Sequence, residues 1–98
     1  MTFGEAIEAL KSGKRVAREG WNGKGMFLVL VHGSRVSAND MRNGTVRAYY
    51  RNRGYDYVDI TPHIDMKAAD GSMVIGWTAS QSDMLSEDWY VVGGKNNG

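Results

Sequence analysis

Two histidines are the side chains able to move a proton near neutral pH: His32 at the end of an apolar run and His63 beside the sole proline. They show neither the H-x-x-x-H nor the H-E-x-x-H spacing that sets two imidazoles around zinc, so no metal site is expected. His63 and Asp65 stand at i, i+2 on one face of a strand, which reads as an acid–base pair or, more blandly, as a surface polar pair. No serine has a nucleophile-elbow context, and no Gly-Lys-Ser/Thr follows the glycines at 20–25 as a phosphate-binding loop requires. With no cysteine there is no thiol nucleophile and no disulfide. The expectation is a protein that is not an enzyme and needs no cofactor.

Binding chemistry is better represented. Two glycine-containing connections each carry a tryptophan beside polar groups: Trp21-Asn22-Gly23-Lys24, and Gly76-Trp77-Thr78-Ala79-Ser80-Gln81-Ser82-Asp83. An indole face stacks on a base, while Asn, Gln and Asp match ribose hydroxyls and base edges. Lys24, Arg18 and main-chain N–H groups at the start of a helix near Ser80 suit phosphates. The combination fits a small nucleotide-like anion, and a core role for both tryptophans stays open beside it. Tyr49, Tyr50, Tyr55 and Tyr57 interleave with Arg47, Arg51 and Arg53, a mixture of stacking and charge that nucleic-acid binders share with ordinary exposed hairpins.

These residues must be positioned by one small fold. Ninety-eight residues, 42% hydrophobic and 23% charged, make a single domain with a thin core, for which association with further copies is a source of stability. The longest apolar run, Met26 to Val31, falls far short of the roughly 20 residues of a membrane span. No signal-peptide pattern opens the chain, so the expected setting is the cytoplasm. The net charge of +1 hides an asymmetry: residues 11–53 carry ten bases against two acids, a balance of +8, and 54–98 carry two bases against seven acids, a balance of −5. Such a split marks a basic surface for an anionic partner, or faces that pair within or between subunits.

Thr2 and Glu5 have capping-box spacing, and Phe3, Ile7 and Leu10 share one face, which predicts an N-terminal helix stopped by Gly13. Val16 to Arg18 and Met26 to Val31 read as strands. In the segment 34–61, a variable insert, Val46 to Tyr50 and Tyr55 to Ile60 read as a hairpin around residues 51–54. His63 to Lys67 and Met73 to Trp77 read as strands joined at Asp70-Gly71. Ser80 and Asp83 predict a short helix before a last strand at Trp89 to Val92. The fold class is therefore α+β: an antiparallel sheet of about five or six strands, a helix at the start and a short helix before the last strand, with one domain at 1–93 and a disordered tail at 94–98. Phe3, Ile7, Leu10, Phe27, Ile64, Met66 and Trp89 are assigned to the core or to subunit contacts.

Thr2-Phe3-Gly4-Glu5-Ala6, the run Gly13 to Arg18 and Gly20-Trp21-Asn22-Gly23-Lys24-Gly25-Met26 resemble the start of a phage and prophage family, formerly a domain of unknown function, that includes the second type of Thoeris anti-defence protein. Pro62 to Lys67, Ala69-Asp70-Gly71, Gly76-Trp77, Ala79-Ser80-Gln81, Asp83-Met84-Leu85 and Asp88-Trp89 resemble its second half. What the resemblance implies is a sponge that binds a cyclic ADP-ribose isomer, glycocyclic ADP-ribose, and holds it uncleaved so that the immune effector stays silent. It implies possible capture of cyclic oligonucleotide signals too, and a homodimer or homotetramer whose pockets lie between subunits. Carried onto this chain, Trp21 or Trp77 would stack on adenine, and Asn22, Gln81 and Asp83 would bond hydroxyls or the base edge. Lys24, Arg18 and N–H groups near Ser80 would meet the diphosphate, with Gly23 and Ala79 completing the two loops.

Three rival readings remain: a nucleic-acid binder using 46–57, a small regulator that binds a host protein, and a hydrolase of the same signal. On the resemblance, nucleic acid is not the expected partner.

Overall fold

The computed structural model describes residues 1–93, so the tail expected at 94–98 lies outside the described residues. By their contacts the residues separate into two compact units: Met1–Val31 together with the chain from His63 onward, and His32–Pro62.

In the first unit α1 (Phe3–Lys11) begins at the predicted capping box. Glu5 N–H donates to Thr2 Oγ1 at 3.2 Å and Thr2 N–H to Glu5 Oε1 at 2.8 Å. The Thr2 donors hold the Glu5 carboxyl below its ordinary value, as suits an acid at a helix N-terminus. The helix packs on a five-stranded antiparallel sheet in the order β6-β5-β2-β1-β7. Its strands are β1 (Val16–Arg18), β2 (Phe27–Val31), β5 (His63–Lys67), β6 (Met73–Val74) and β7 (Trp89–Val91). β7 follows the short helix α3 (Gln81–Leu85), as expected.

Register decides which side chains meet α1. Leu28 stands opposite Met66 and Leu30 opposite Ile64, and alternation puts all four on one face. That face closes over Ala6, Leu10, Val16, Leu28 and Trp89, with Phe3, Ile7, Ile64 and Met66 packed against them. Trp89 keeps its indole N–H satisfied by the Asp83 carbonyl at 2.9 Å, so its large apolar body is buried without an orphan donor. Removing such a side chain costs about 3–5 kcal/mol. Phe27 is half-buried, with the cations of Arg15 and Lys67 at 5.0 and 5.9 Å from its ring centre.

The predicted return strand Met73 to Trp77 is shorter than expected. β6 ends at Val74, because Gly76 turns the chain at φ +82° and Trp77 N–H donates to the Ile64 carbonyl at 2.6 Å.

The second unit departs further from the sequence reading. Val46 to Tyr50 is not a strand but part of α2 (Gly44–Asn52). Asn43 accounts for the difference: its Oδ1 accepts from Thr45 and Val46 N–H at 3.0 and 3.1 Å, so Asn43-Gly44 starts a helix instead of turning a hairpin. Gly54, at φ +77°, follows the last helical turn as its stop. The hairpin partner of β4 (Tyr57–Ile60) is β3 (Ser34–Ser37), which pairs Arg35 with Asp59 and Val36 with Val58. A 3-10 turn at Ala38–Asp40 links β3 to the helix. Among the described residues no helix is long and apolar enough to cross a membrane.

Candidate functional site

β1 ends at Arg18, in register with Trp89 of β7, and the connection to β2 starts there. Arg18 Nη1 donates to Asp83 Oδ1 at 2.7 Å and Nε to Asp88 Oδ1 at 2.9 Å. Two carboxylates therefore share one guanidinium, and this raises the Arg18 pKa, through Asp88 first and Asp83 second. Asp88 also accepts the Gly20 N–H at 2.7 Å, which fixes the chain as it enters the loop. Arg18 holds the Asp88 carboxyl below its usual range.

Asp83 is 8% exposed and bonded through both oxygens. Oδ1 accepts from Arg18 and from Trp21 Nε1 at 3.1 Å, and Oδ2 accepts from Ser80 N–H at 3.1 Å. Ser80 Oγ returns a bond by accepting the Asp83 N–H at 3.1 Å, completing the capping box of α3. Burial pushes the Asp83 carboxyl upward, and the donors from Arg18, Trp21 and Ser80 outweigh it, leaving the group at about 2. One buried acid thus ties the Trp21 loop to the start of α3.

Four rings gather beside it. Trp21 and Trp77 meet edge to face with ring centres 6.4 Å apart, Trp21 and Trp89 at 5.4 Å, and Phe3 lies 6.4 Å from Trp77. Trp21 and Trp77 are half-buried: both rest on the core and both leave surface to solvent.

Arg18, Trp21, Trp77, Ser80 and Asp83 are therefore brought together, with Arg18 and Asp83 bonded to each other. Asn22, Lys24 and Gln81 are exposed, and among the described residues their side chains make no hydrogen bond or ion pair. Ala79 is half-buried next to the α3 cap. Gly23 is where the loop closes on the sheet: a Cβ there would lie 2.5 Å from Met26 Sδ and 2.9 Å from Ala69 Cβ. Only glycine fits that approach without displacing a neighbour.

Sequence reasoning missed the roles of three residues at the site. Asp88, more than sixty positions from Gly20, anchors the loop entrance. Lys67 Nζ donates to the Gly25 carbonyl at 3.0 Å, bringing a second cation to the loop that carries Lys24. Asp65 is 4% exposed, so it is not the exposed half of a surface pair; its Oδ1 accepts the Gly76 N–H at 2.8 Å and its Oδ2 is 3.5 Å from His63 Nε2. It secures the bend that delivers Trp77. A polar residue alternating with Ile64 and Met66 was visible, but its partner across a glycine bend was not.

Among the described residues no three His, Cys, Asp or Glu side chains are placed to hold a metal. Half-buried indoles, the exposed amides of Asn22 and Gln81, and Lys24 thus lie on the segments that the Arg18–Asp83–Trp21 bonds tie together.

A family model described as Tad2-like, the Thoeris anti-defense 2-like domain, matches residues 1–92. A protein of Bacillus phage SP01 named Thoeris anti-defense 2 is 41% identical over 92 residues, covering 94% of this chain and 94% of that relative.

Proposed function

The chain belongs to the Thoeris anti-defense 2-like family, and from that premise we propose that it is a phage-type anti-defence sponge: it binds glycocyclic ADP-ribose, the cyclic signal of Thoeris immunity, and keeps it intact. The observation that carries this reading is the pairing of Trp21 with Trp77 on the segments that carry Asn22, Lys24 and Gln81, whose polar groups are uncommitted among the described residues. The exposed parts of the two indoles receive the adenine, and Asn22 and Gln81 meet hydroxyls or the base edge. Lys24, helped by Lys67, meets the diphosphate.

Arg18 and Asp83 take a different part in this reading. The guanidinium is already matched by two carboxylates, so the cluster has no positive charge to offer a diphosphate. It holds the two loops in the geometry the ligand needs, and this preorganisation favours tight capture by reducing what must be ordered on binding.

The working protein is a homodimer or homotetramer in the host cytoplasm, with the pocket completed by a second subunit. Met73, Val74 and Ile75 at one sheet edge, and Met84 and Leu85 on α3, support this, because Ile75 and Leu85 remain 70% and 72% exposed in the single chain. Capture of cyclic oligonucleotide signals belongs to the same proposal.

The test mixes purified protein with glycocyclic ADP-ribose, removes free ligand and heats the complex. Intact signal released on denaturation is the expected result. An altered product would make the protein a hydrolase, and no capture would overturn the reading.

A further inference from the structure

Within the second unit, we propose that α2 binds single-stranded nucleic acid, with phosphates held between Arg47 and Arg51 and bases against Tyr49 and Tyr55. All of its residues belong to the second unit.

Charge compensation supplies the first observation. Arg35 is paired with Asp59, at 2.7 Å. Among the described residues Arg42, Arg47, Arg51 and Arg53 form no ion pair, so four guanidiniums within twelve positions keep their charge. Two of them are held in place by neutral groups: Arg47 Nη1 donates to the Met41 carbonyl at 2.7 Å, and Arg53 Nη1 to the Tyr49 carbonyl at 3.2 Å. They are oriented without being neutralised.

The second observation is a groove of about 350 Å³ lined by Gly44, Arg47, Ala48, Arg51 and Asn52. These residues recur at helical spacing on one face of α2. Gly44 and Ala48 contribute little side-chain bulk to it, Arg47 and Arg51 contribute guanidiniums, and Asn52 adds an amide. Among the described residues no carboxylate lines it. Like charges at i, i+4 destabilise a helix on its own, and an anion between them removes that penalty.

Aromatic groups decide which anion fits. Tyr49, Tyr50 and Tyr55 form an edge-to-face series with ring centres 5.1 and 5.4 Å apart, and the Arg53 guanidinium lies 3.7 Å from the Tyr49 ring centre. Tyr49 and Tyr55 are 49% and 54% exposed. Unstacked bases use such rings, whereas an acidic peptide would use the arginines alone and a duplex keeps its bases stacked.

Fluorescence anisotropy with labelled oligothymidylate, over a range of salt concentrations, tests the proposal. Phosphate contacts from Arg47 and Arg51 give a slope of log affinity against log salt near −1.4, at about −0.7 per phosphate on a single strand. Arg47→Ala/Arg51→Ala should reduce that slope by about 1.4. Tyr49→Ala/Tyr55→Ala should weaken binding at least about tenfold and leave the slope unchanged. Among the described residues the Arg51 side chain makes no hydrogen bond or ion pair, so Arg51→Ala keeps the result readable if the double variant fails to fold; alone it should reduce the slope by about 0.7. Absence of binding by the wild-type protein at low salt, equal affinity for polyglutamate, or an unaltered slope in folded Arg51→Ala protein would each overturn the site.

Discussion

The Trp21 indole nitrogen donates to Asp83 Oδ1 at 3.1 Å across 62 positions of sequence. The bond joins two loops that no local pattern connects, and the same oxygen accepts from Arg18. Asp83→Ala leaves the Trp21 and Ser80 N–H groups without acceptors and Arg18 with one carboxylate. Each part-buried donor left without an acceptor costs about 1–3 kcal/mol at most, so the thermal midpoint should fall by several degrees. Asp83→Asn retains an acceptor for Trp21 and should fall less. Equal midpoints for the Ala variant and the wild type would show that the frame does not stabilise the fold.

The same carboxyl sets an acid limit. Its folded pKa of about 2 lies below the ordinary 3.8, so protons bind the unfolded chain more readily. The stabilisation is fully present above about pH 4 and is lost as pH falls from there toward 2. Asp88, lowered chiefly by the Arg18 bond, acts in the same direction. Urea midpoints should drop between about pH 4 and pH 2, and the drop should be smaller in Asp83→Asn.

Both capping boxes were legible because their partners lie three residues apart, Thr2 with Glu5 and Ser80 with Asp83. The strands of the first unit were legible from apolar runs and from the Asp70-Gly71 turn. α2 was not, because Val46, Tyr49 and Tyr50 favour strands while the cap at Asn43 that overrides them also occurs in hairpin turns. At the site, the two tryptophan loops could be read from composition alone. That Arg18 and Asp83 bond to each other could not, because only the pairing of β1 with β7 brings Arg18 to the strand that follows α3.

Asp65 controls Trp77 through the Gly76 N–H. In Asp65→Ala the bend loses its acceptor and the Trp77 ring should leave the cluster, while Trp89, held by its own bond to the Asp83 carbonyl, should stay. Fluorotryptophan NMR, with the Trp77 resonance assigned from Trp77→Phe, should show one resonance moving toward the solvent-exposed position and the Trp89 resonance in place. Asp65→Asn preserves an acceptor and should restore the native spectrum. Identical spectra for the Ala variant and the wild type would remove Asp65 from this role.

Subunit contact through the apolar edge predicts that charge there breaks the assembly. Ile75→Asp or Leu85→Asp alters a side chain that is mostly exposed in the single chain, so the fold should survive while the mass by light scattering falls to that of a smaller species. If the pocket is shared between subunits, signal capture should fall with the mass. Full assembly in both variants would place the contact elsewhere.

Lys24 separates binding from stability more cleanly than any residue of the frame. It is exposed, and among the described residues it makes no internal bond, so Lys24→Glu should leave the thermal midpoint unchanged. If Lys24 meets a diphosphate, reversal of its charge replaces attraction by repulsion and should weaken capture of glycocyclic ADP-ribose at least about tenfold, roughly 1.4 kcal/mol. The wild-type affinity should decline with added salt, because an exposed lysine is screened over about 10 Å at 0.1 M, and the Glu variant should lose part of that dependence. Lys67→Ala should have a smaller effect on affinity and should also loosen the loop, since Lys67 bonds the Gly25 carbonyl. A folded Lys24→Glu protein that retains the signal with wild-type affinity and the same salt response would move the diphosphate away from this loop.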